Sequence, residues 1–377
     1  MKLTDRVEYS AASPTDYIHI VVTSDTSQNS AGSSYKIQLQ KVIDLVPQSS
    51  LYITSGSTWN GSNYPIKANN TSGLDATGAC SFAEGSGTTA SGIASHAEGL
   101  QTSATTLYAH AEGAYTIASG IASHAEGAYT KASGIVSHAE GAYTTASNDN
   151  SHAEGSHTIA SGSKAHAEGN NTIASGSKAH AEGEHTTASG DDSHAEGSHT
   201  IAADNQAHAE GYYTTAIGVA SHAEGAYTVA TYFTSHAEGQ NTTASNYQAH
   251  AEGSNTTASG HYSHAEGSNT IASGDGSHAE GSNTTAIGVN SHAGGYLTIA
   301  SGTTSFVHGY DSQANGESTV VLGDHITGNQ SNFVYMNGLA IMSITTYVND
   351  AAADADVNLP HGGVYQITGS RALYIKP

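Results

Sequence analysis

Histidine and glutamate recur in this 377-residue chain at a spacing that could support metal or acid–base chemistry. Fifteen histidines, from His96 to His292, and fifteen glutamates, from Glu84 to Glu280, return every 14 residues, mostly within Ser-His-Ala-Glu-Gly. Imidazole and carboxylate groups bind divalent metals such as Zn²⁺, and they also pair with each other. A catalytic or regulatory metal usually sits at one place, not fifteen. We therefore favour His–Glu pairing over metal binding and predict no metal and no other cofactor.

The pairing predicts a fold that responds to pH. A neighbouring carboxylate raises the pKa of a histidine, whereas burial lowers it, and we expect the carboxylate to dominate. With a raised pKa, the stabilisation would be full at low pH and lost as the pH rises through that pKa. Below the Glu pKa the pairing would fail for a second reason. Charging fifteen histidines would change the formal net charge from −23 to −8.

Other catalytic patterns are missing from the sequence. It contains no nucleophile elbow, P-loop, dinucleotide fingerprint or HExxH motif. A glycosidase needs one carboxyl pair at a defined separation, which repeated carboxylates do not supply. Acids outside the repeated positions, such as Asp191, Asp192, Asp204 and Asp275, are interpreted as solvated turn residues. We predict that the protein is not an enzyme.

The repeat itself predicts the elements that position these residues. Coils of 14 residues start at 81, 95, 109 and onward to 319, which gives (319 − 81)/14 + 1 = 18 coils over 81–332. Numbered from the Ser, positions 1, 3, 8 and 10 are small, position 5 is Gly, and position 12 is usually Gly. Period-2 patterning predicts strands, and the glycines predict turns that need positive φ or close backbone approach. Two five-residue strands per coil give a parallel β-solenoid with positions 1, 3, 8 and 10 inside.

Composition excludes several classes of protein. Cys80 is the single cysteine, so no intramolecular disulfide forms, and no apolar run is long enough to cross a membrane. The N-terminal residues lack the apolar region of a secretory signal. A net charge of −23 disfavours binding to nucleic acid or to an anionic membrane.

The 14-residue repeat resembles the head repeats of trimeric autotransporter adhesins, whose Ser-Val-Ala-Ile-Gly units form left-handed parallel β-rolls, three side by side. Coil 319–332 begins Thr-Val-Val-Leu-Gly, close to that form. The interior of small side chains buries little apolar area, which also favours association. The fold class expected is all-β, a homotrimeric parallel β-roll or solenoid of about 18 coils. Small modules flank it, β-rich at the N-terminus and α+β at the C-terminus.

The resemblance implies that positions 2 and 4 face the trimer axis, with His and Glu along it and apolar residues at its ends. The residues so placed are Phe82, Glu84, His96, Glu98, His110, Glu112, His124, Glu126, His138, Glu140, His152, Glu154, His166, Glu168, His180, Glu182, His194, Glu196, His208, Glu210, His222, Glu224, His236, Glu238, His250, Glu252, His264, Glu266, His278, Glu280, His292, Phe306, Val320 and Leu322.

The flanks resemble those of tailed-phage fibre and appendage proteins. Two strands predicted within 17–46 are similar to an N-terminal attachment segment, and 347–365 is similar to the C-terminal ends of such proteins. A short helix is predicted over 351–356, and a hairpin that turns at Gly369-Ser370. The domains predicted are a virion-attachment module (1–67), a β-roll shaft (68–325) and a capping, trimer-registering module (326–377).

These features predict a structural virion protein, a trimeric tail fibre or spike that acts as a stiff spacer and attaches to the host. The expected partners are its own copies, other tail or capsid proteins bound through 1–67, and a host surface glycan or protein. A bacterial adhesin head is the alternative, disfavoured because no signal or membrane anchor is visible. A polysaccharide-degrading tailspike is a further alternative.

Position 7 carries runs of Tyr, His and Asn, from Tyr115 to Asn283, predicted at the outer edge of the turns. Such rows could stack on sugars, but we favour stacking of like side chains on each other. The Thr row at position 8 is suggestive of ice binding, yet its predicted inward direction argues against that role.

Overall fold

The computed structural model describes residues 75–338, together with the backbone of seven further strands. Those strands are Tyr17–Val22, Ser33–Gln38, Ile53–Thr54, Ile66–Lys67, Thr346–Tyr347, Val364–Ile367 and Leu373–Ile375. All regular elements in the described part are β-strands. Within it, no helix has the length and apolarity required to cross a membrane. The chain divides into two compact units, Met1–Tyr262 and Ser263–Pro377.

Unit 1 contains the coils that start at residues 81 to 249. Each coil has a first strand, here called the long strand, which spans positions 2–6 in all but the coil from 137, and a short strand at positions 9 and 10. Each strand pairs in parallel with its counterpart 14 residues away. The long strands are Phe82–Ser86, His96–Leu100, His110–Ala114, His124–Ala128, His138–Ala139, His152–Ser156, His166–Asn170, His180–Glu184, His194–Ser198, His208–Tyr212, His222–Ala226, His236–Gln240 and His250–Ser254. The short strands are Asp75–Ala76, Thr89–Ala90, Ser103–Ala104, Ile117–Ala118, Lys131–Ala132, Thr145–Ala146, Ile159–Ala160, Ile173–Ala174, Thr187–Ala188, Ile201–Ala202, Thr215–Ala216, Val229–Ala230, Thr243–Ala244 and Thr257–Ala258.

Unit 2 repeats the same coil from residue 263 onward. Its long strands are His264–Ser268, His278–Ala279, His292–Tyr296, Phe306–Tyr310 and Val320–Asp324, and Val334–Met336 pairs on the last of them. Its short strands are Ile271–Ala272, Thr285–Ala286, Ile299–Ala300, Gln313–Ala314 and Thr327–Gly328. Counting the partial coils at the ends, the described part holds about 19 coils, which confirms the predicted all-β parallel solenoid.

The interior is built from the small residues that the period-2 pattern placed there. Position 3 is fully buried in every coil, from Ala83 to Val321, and so are Thr at position 8 and Ala at position 10. Position 1 is buried as well, and in many coils its Ser Oγ donates to the carbonyl of position 12, as Ser95 does to Gly92 at 2.8 Å. The predicted inward positions 1, 3, 8 and 10 are confirmed.

One corner of each coil depends on the glycine at position 5. Gly183 has φ +107°, and a Cβ there would lie 2.0 Å from the carbonyl oxygen of Gly197 in the next coil. No other residue fits, because this φ is unfavourable for an L residue and there is no room for a Cβ. The two reasons predicted for a glycine turn, a positive φ and a close backbone approach, therefore both apply at this position.

The second strand of each coil is shorter than the predicted five residues. The carbonyl of Ala132 accepts from the N–H of Ser119 at 2.8 Å and from that of Gly120 at 3.4 Å. Two successive donors share one acceptor, so the chain leaves the strand after position 10 and the ladder has only two paired residues. The prediction of five was wrong for this reason.

The flanking strands agree with part of the sequence interpretation. Tyr17–Val22 and Ser33–Gln38 pair antiparallel, and Val364–Ile367 pairs antiparallel with Leu373–Ile375 as the predicted hairpin requires. The helix predicted over 351–356 lies outside the described residues. The three predicted domains stay predictions.

Candidate functional site: the His/Glu face

The outer face of the long strands carries the predicted histidines and glutamates in parallel rows, here called the His/Glu face. Parallel pairing in exact 14-residue register sets each residue beside its own counterpart, so His110 lies between His96 and His124. Neighbouring imidazole rings in unit 1 have centroids 4.6–4.9 Å apart, and the planes of most of them are nearly parallel, so the rings stack. This spacing is the distance between strands in a sheet.

Each histidine of unit 1 from His96 to His250 also faces the glutamate of its own coil. The distances from imidazole Nε2 to carboxylate Oε2 run from 3.3 Å in His166–Glu168 to 3.9 Å in His208–Glu210. The two side chains are neighbours because positions 2 and 4 of a strand point to the same side. The structure thus brings the predicted pairs together in space.

These side chains are half-buried on the single chain. In the His124–Glu126 pair the imidazole is 33% exposed and the carboxylate 36%. The Nε2 atoms of the row from His96 to His236 are nonetheless shielded from solvent and have no well-aligned hydrogen bond. Buried polar atoms normally have hydrogen-bond partners, and these nitrogens have only one long ionic contact each. The hydrogen-bonding capacity of this face is therefore not fully used within one chain.

The pKa values of the ladder reverse the expectation from sequence. Burial lowers the pKa of the imidazole in His110, His124, His152, His194 and His222, and stacked neighbouring histidines lower it further. Glutamates raise these pKa values by less. The prediction that the carboxylate dominates was wrong. Burial has the larger effect, and in-register stacking places each imidazole beside other imidazoles, whose positive charge would oppose its protonation. Protonation is therefore disfavoured in the folded chain.

Aromatic rings lie at the ends of the rows. Phe82 contacts the ring of His96 with centroids 5.1 Å apart, and Phe306 stacks on His292 at 4.7 Å. Val320 is partly buried and Leu322 is 41% exposed on the same face. The predicted apolar ends are thus adjacent to the histidine rows within their own units. Placement of the face on a trimer axis stays a prediction.

Groups of two histidines and one glutamate could hold a metal ion along the face. In one of them the ligand atoms of His110, Glu112 and His124 all lie within 4.8 Å of one another. That is wider than the spacing of ligands around Zn²⁺, whose bonds are about 2.0–2.2 Å long. Stacked rings would have to rotate before two of them could share an ion.

In unit 2 the pairing changes. His278 and His292 face the glutamate of the preceding coil, Glu266 at 3.6 Å and Glu280 at 3.3 Å. The rings of His278 and His292 are edge-on at 75°. Burial lowers the pKa of His292, as does His278, while Glu280 acts in the opposite direction.

The sequence analysis missed one residue of this cluster. His308 occupies position 4, where earlier coils carry Glu, and its Nδ1 lies 3.9 Å from Oε1 of Glu280. Between them stands Gly294, also at position 4. Two consecutive departures from Glu are visible in the repeat register and could have marked this place.

The position-7 row forms an exposed aromatic edge. Tyr115, Tyr129 and Tyr143 stack at 4.7–4.8 Å with interplanar angles of 1–2°, and His157 continues the stack. Tyr143 is 52% exposed. The rings stack on each other, as the favoured interpretation expected. Thr at position 8 points inward, so it offers no surface for ice.

The solenoid and its ladders define a parallel β-roll of adhesin-head type. Comparison with known families agrees: segments 153–179, 181–203, 209–231, 251–277, 265–291, 279–305 and 300–325 match the YadA head domain repeat. The chain is thus similar to the head repeats of trimeric autotransporter adhesins over these segments, which confirms the coarse prediction of an adhesin-like head. None of the matched segments reaches the flanks. A search of the curated proteins finds no match.

Proposed function

We propose that the protein is the head of a homotrimeric attachment appendage, in which three β-rolls associate through their His/Glu faces. The observation that carries the proposal is the row of half-buried His–Glu pairs from His96–Glu98 to His236–Glu238, whose Nε2 atoms have only a long contact to a carboxylate within one chain. A second and third copy packed against this face would bury the exposed third of these side chains and offer the imidazoles further carboxylates as they turn. YadA-like heads are homotrimeric in general, which is compatible with this arrangement.

The interior supports the same conclusion. Ala, Ser and Thr fill it, and the largest fully buried side chains are Val307 and Val321. Burial contributes roughly 25 cal/mol per Å² of apolar surface, so such small side chains contribute little each. Contact along the face would add the missing buried area. In the proposed trimer the roll is a structural spacer, and it acts without catalysis.

Substitutions on two faces of one coil test the axis. Glu168→Lys would set three lysines at one level of the proposed axis, and we expect the trimer to dissociate or to melt at a lower temperature. Ile173→Lys is the matched control, because Lys131 occupies the same position 9 on the other sheet and is tolerated there. Light scattering of the purified protein at pH 5, 7 and 9 gives the mass.

A mass near three chains for the wild type and for Ile173→Lys, with a smaller mass for Glu168→Lys, supports the proposal. A monomer at every pH would refute the axis, and so would a trimer that both lysines leave equally stable. Incubation with capsular polysaccharide, followed by a reducing-end assay, tests the depolymerase alternative. We expect no sugar release.

The location on a phage virion stays a prediction of the flanks. The predicted attachment and capping modules of the chain, 1–67 and 326–377, lie largely outside the described residues. Immunogold labelling of particles and of cells with an antibody to the solenoid distinguishes the two settings. Label on tails supports the fibre, and label on the cell surface supports the adhesin head.

A further inference from the structure

One place on the His/Glu face of unit 2 departs from the repeat and carries a distinct constellation. Position 4 is Glu in fifteen coils, from Glu84 to Glu280, and then becomes Gly294, followed by His308. The φ of Gly294 lies outside the left-handed region, so the backbone does not require glycine there. Since glutamate fits this backbone position elsewhere, the glycine is best explained by the space that it leaves.

Three ligand atoms surround that space. A Cβ built on Gly294 would lie 2.6 Å from Nδ1 of His308, 2.9 Å from Oε1 of Glu280 and 3.2 Å from Nε2 of His292. They approach from three directions: the following coil, the preceding coil and the same strand. A side chain at position 294 would force at least one of these three side-chain ends to move out of the space.

We propose that Glu280, His292 and His308 form a binding site for a divalent transition metal, of which Zn²⁺ is the representative, in the cradle that Gly294 leaves open. Two imidazole nitrogens and one carboxylate oxygen are a donor set that Zn²⁺ takes with water at the fourth position. Oε1 of Glu280 lies 3.3 Å from Nε2 of His292 and 3.9 Å from Nδ1 of His308. Ligand atoms around a tetrahedral Zn²⁺ with bonds of about 2.0–2.2 Å are about 3.3–3.6 Å apart, so the longer distance must shorten by about 0.5 Å. Small side-chain rotations accomplish that.

The surroundings are consistent with such a site. His292 is turned 75° from the ring of His278, out of the stacking that prevails in unit 1. Its other side is covered by Phe306 at 4.7 Å. The imidazole of His292 is 27% exposed and that of His308 55% on the single chain, so an ion can reach the site before three copies associate through this face. The regular coils lack this arrangement because a Glu side chain occupies position 4.

Zinc titration of the tag-free, chelator-stripped full chain tests the site. A chromogenic chelator reports free Zn²⁺ at pH 7.5, and we expect one ion per chain bound more tightly than any others. Gly294→Ala fills the cradle without adding or removing a donor, and we expect at least tenfold weaker binding. Glu184→Gln, in the exposed His185–Glu184 pair outside the His and Glu rows of the face, is the control and should leave the tight site unchanged.

His308→Leu removes one donor and gives a second variant in case Gly294→Ala does not fold. Leu322 occupies the same position in the next coil, so this replacement suits the repeat. Circular dichroism verifies the fold of each variant, and Zn²⁺ should raise the melting temperature of the wild type only. Absence of a tight stoichiometric site would overturn the proposal. Many equivalent ions per chain, or a tight site that both variants retain, would overturn it as well.

Discussion

Replacement of a single position-5 glycine should break the roll locally. In Gly183→Ala the new Cβ would lie 2.0 Å from the oxygen of Gly197, whereas real Cβ contacts are essentially never shorter than 3.0 Å, so the next coil must shift by at least about 1 Å. The backbone strain of φ +107° costs about 1–2 kcal/mol in an L residue. Loss of two ladder hydrogen bonds costs about 1 kcal/mol each. We expect a total loss of about 3–4 kcal/mol.

Gly87→Ala is the matched control at a different corner. Gly87 has φ +69°, its nearest atom to a new Cβ is Cγ of Gln101 at 3.2 Å, and Tyr115 already adopts φ 60° at the equivalent position. We expect it to cost about 1 kcal/mol or less. Urea unfolding gives the stability, and hydrogen exchange resolved by coil shows where protection is lost, since repeat arrays need not unfold in two states. Unchanged exchange in strands His180–Glu184 and His194–Ser198 of the Gly183→Ala variant would refute the steric argument.

Three other outcomes follow from the described contacts. Thr172→Val should stabilise the protein by about 1–2 kcal/mol in urea unfolding, because its buried Oγ1 has no partner, whereas Thr298→Val should not, because that Oγ1 donates to the carbonyl of Gly294 at 3.1 Å. Val307→Ala should lose about 2–3 kcal/mol in the same assay, since two buried methyls and their packing disappear. The melting temperature should fall as the pH drops below 6.5 toward 5. Unfolded histidines then bind protons that the folded ones, with lowered pKa, resist. Higher stability at pH 5 than at pH 7.5 would contradict that sign.

Much of the coil could be predicted because its signals are steric. Small residues at alternating positions can only face a narrow interior, so Ala97 and Thr102 were assigned correctly from the register. The other corners gave no such signal. Tyr115 and Lys164 adopt φ of about 60°, a conformation that sequence associates with Gly or Asn, and ladder hydrogen bonds hold them there.

The sign of the histidine pKa shift needed distances that spacing did not supply. Burial and neighbouring imidazoles lower the pKa of a histidine and a carboxylate raises it, so the result depends on how deeply each ring is buried and how close its neighbours lie. The rings of His110 and His124 are 4.6 Å apart. Parallel in-register pairing of identical coils places each histidine beside the histidine of the next coil. Repulsion between their protonated forms could therefore have been anticipated from the repeat alone.

The constant 14-residue offset of the ladder has a consequence for how the chain is built and how it changes. Strand partners are close in sequence, so the entropy of loop closure is small and does not grow as coils are added. Assembly can therefore proceed coil by coil from any formed pair, as a zipper does. An in-frame duplication or deletion of 42 nucleotides would lengthen or shorten the array by one coil. The contacts between successive coils would stay of the same kind. Array length is thus a property that recombination can adjust in single steps.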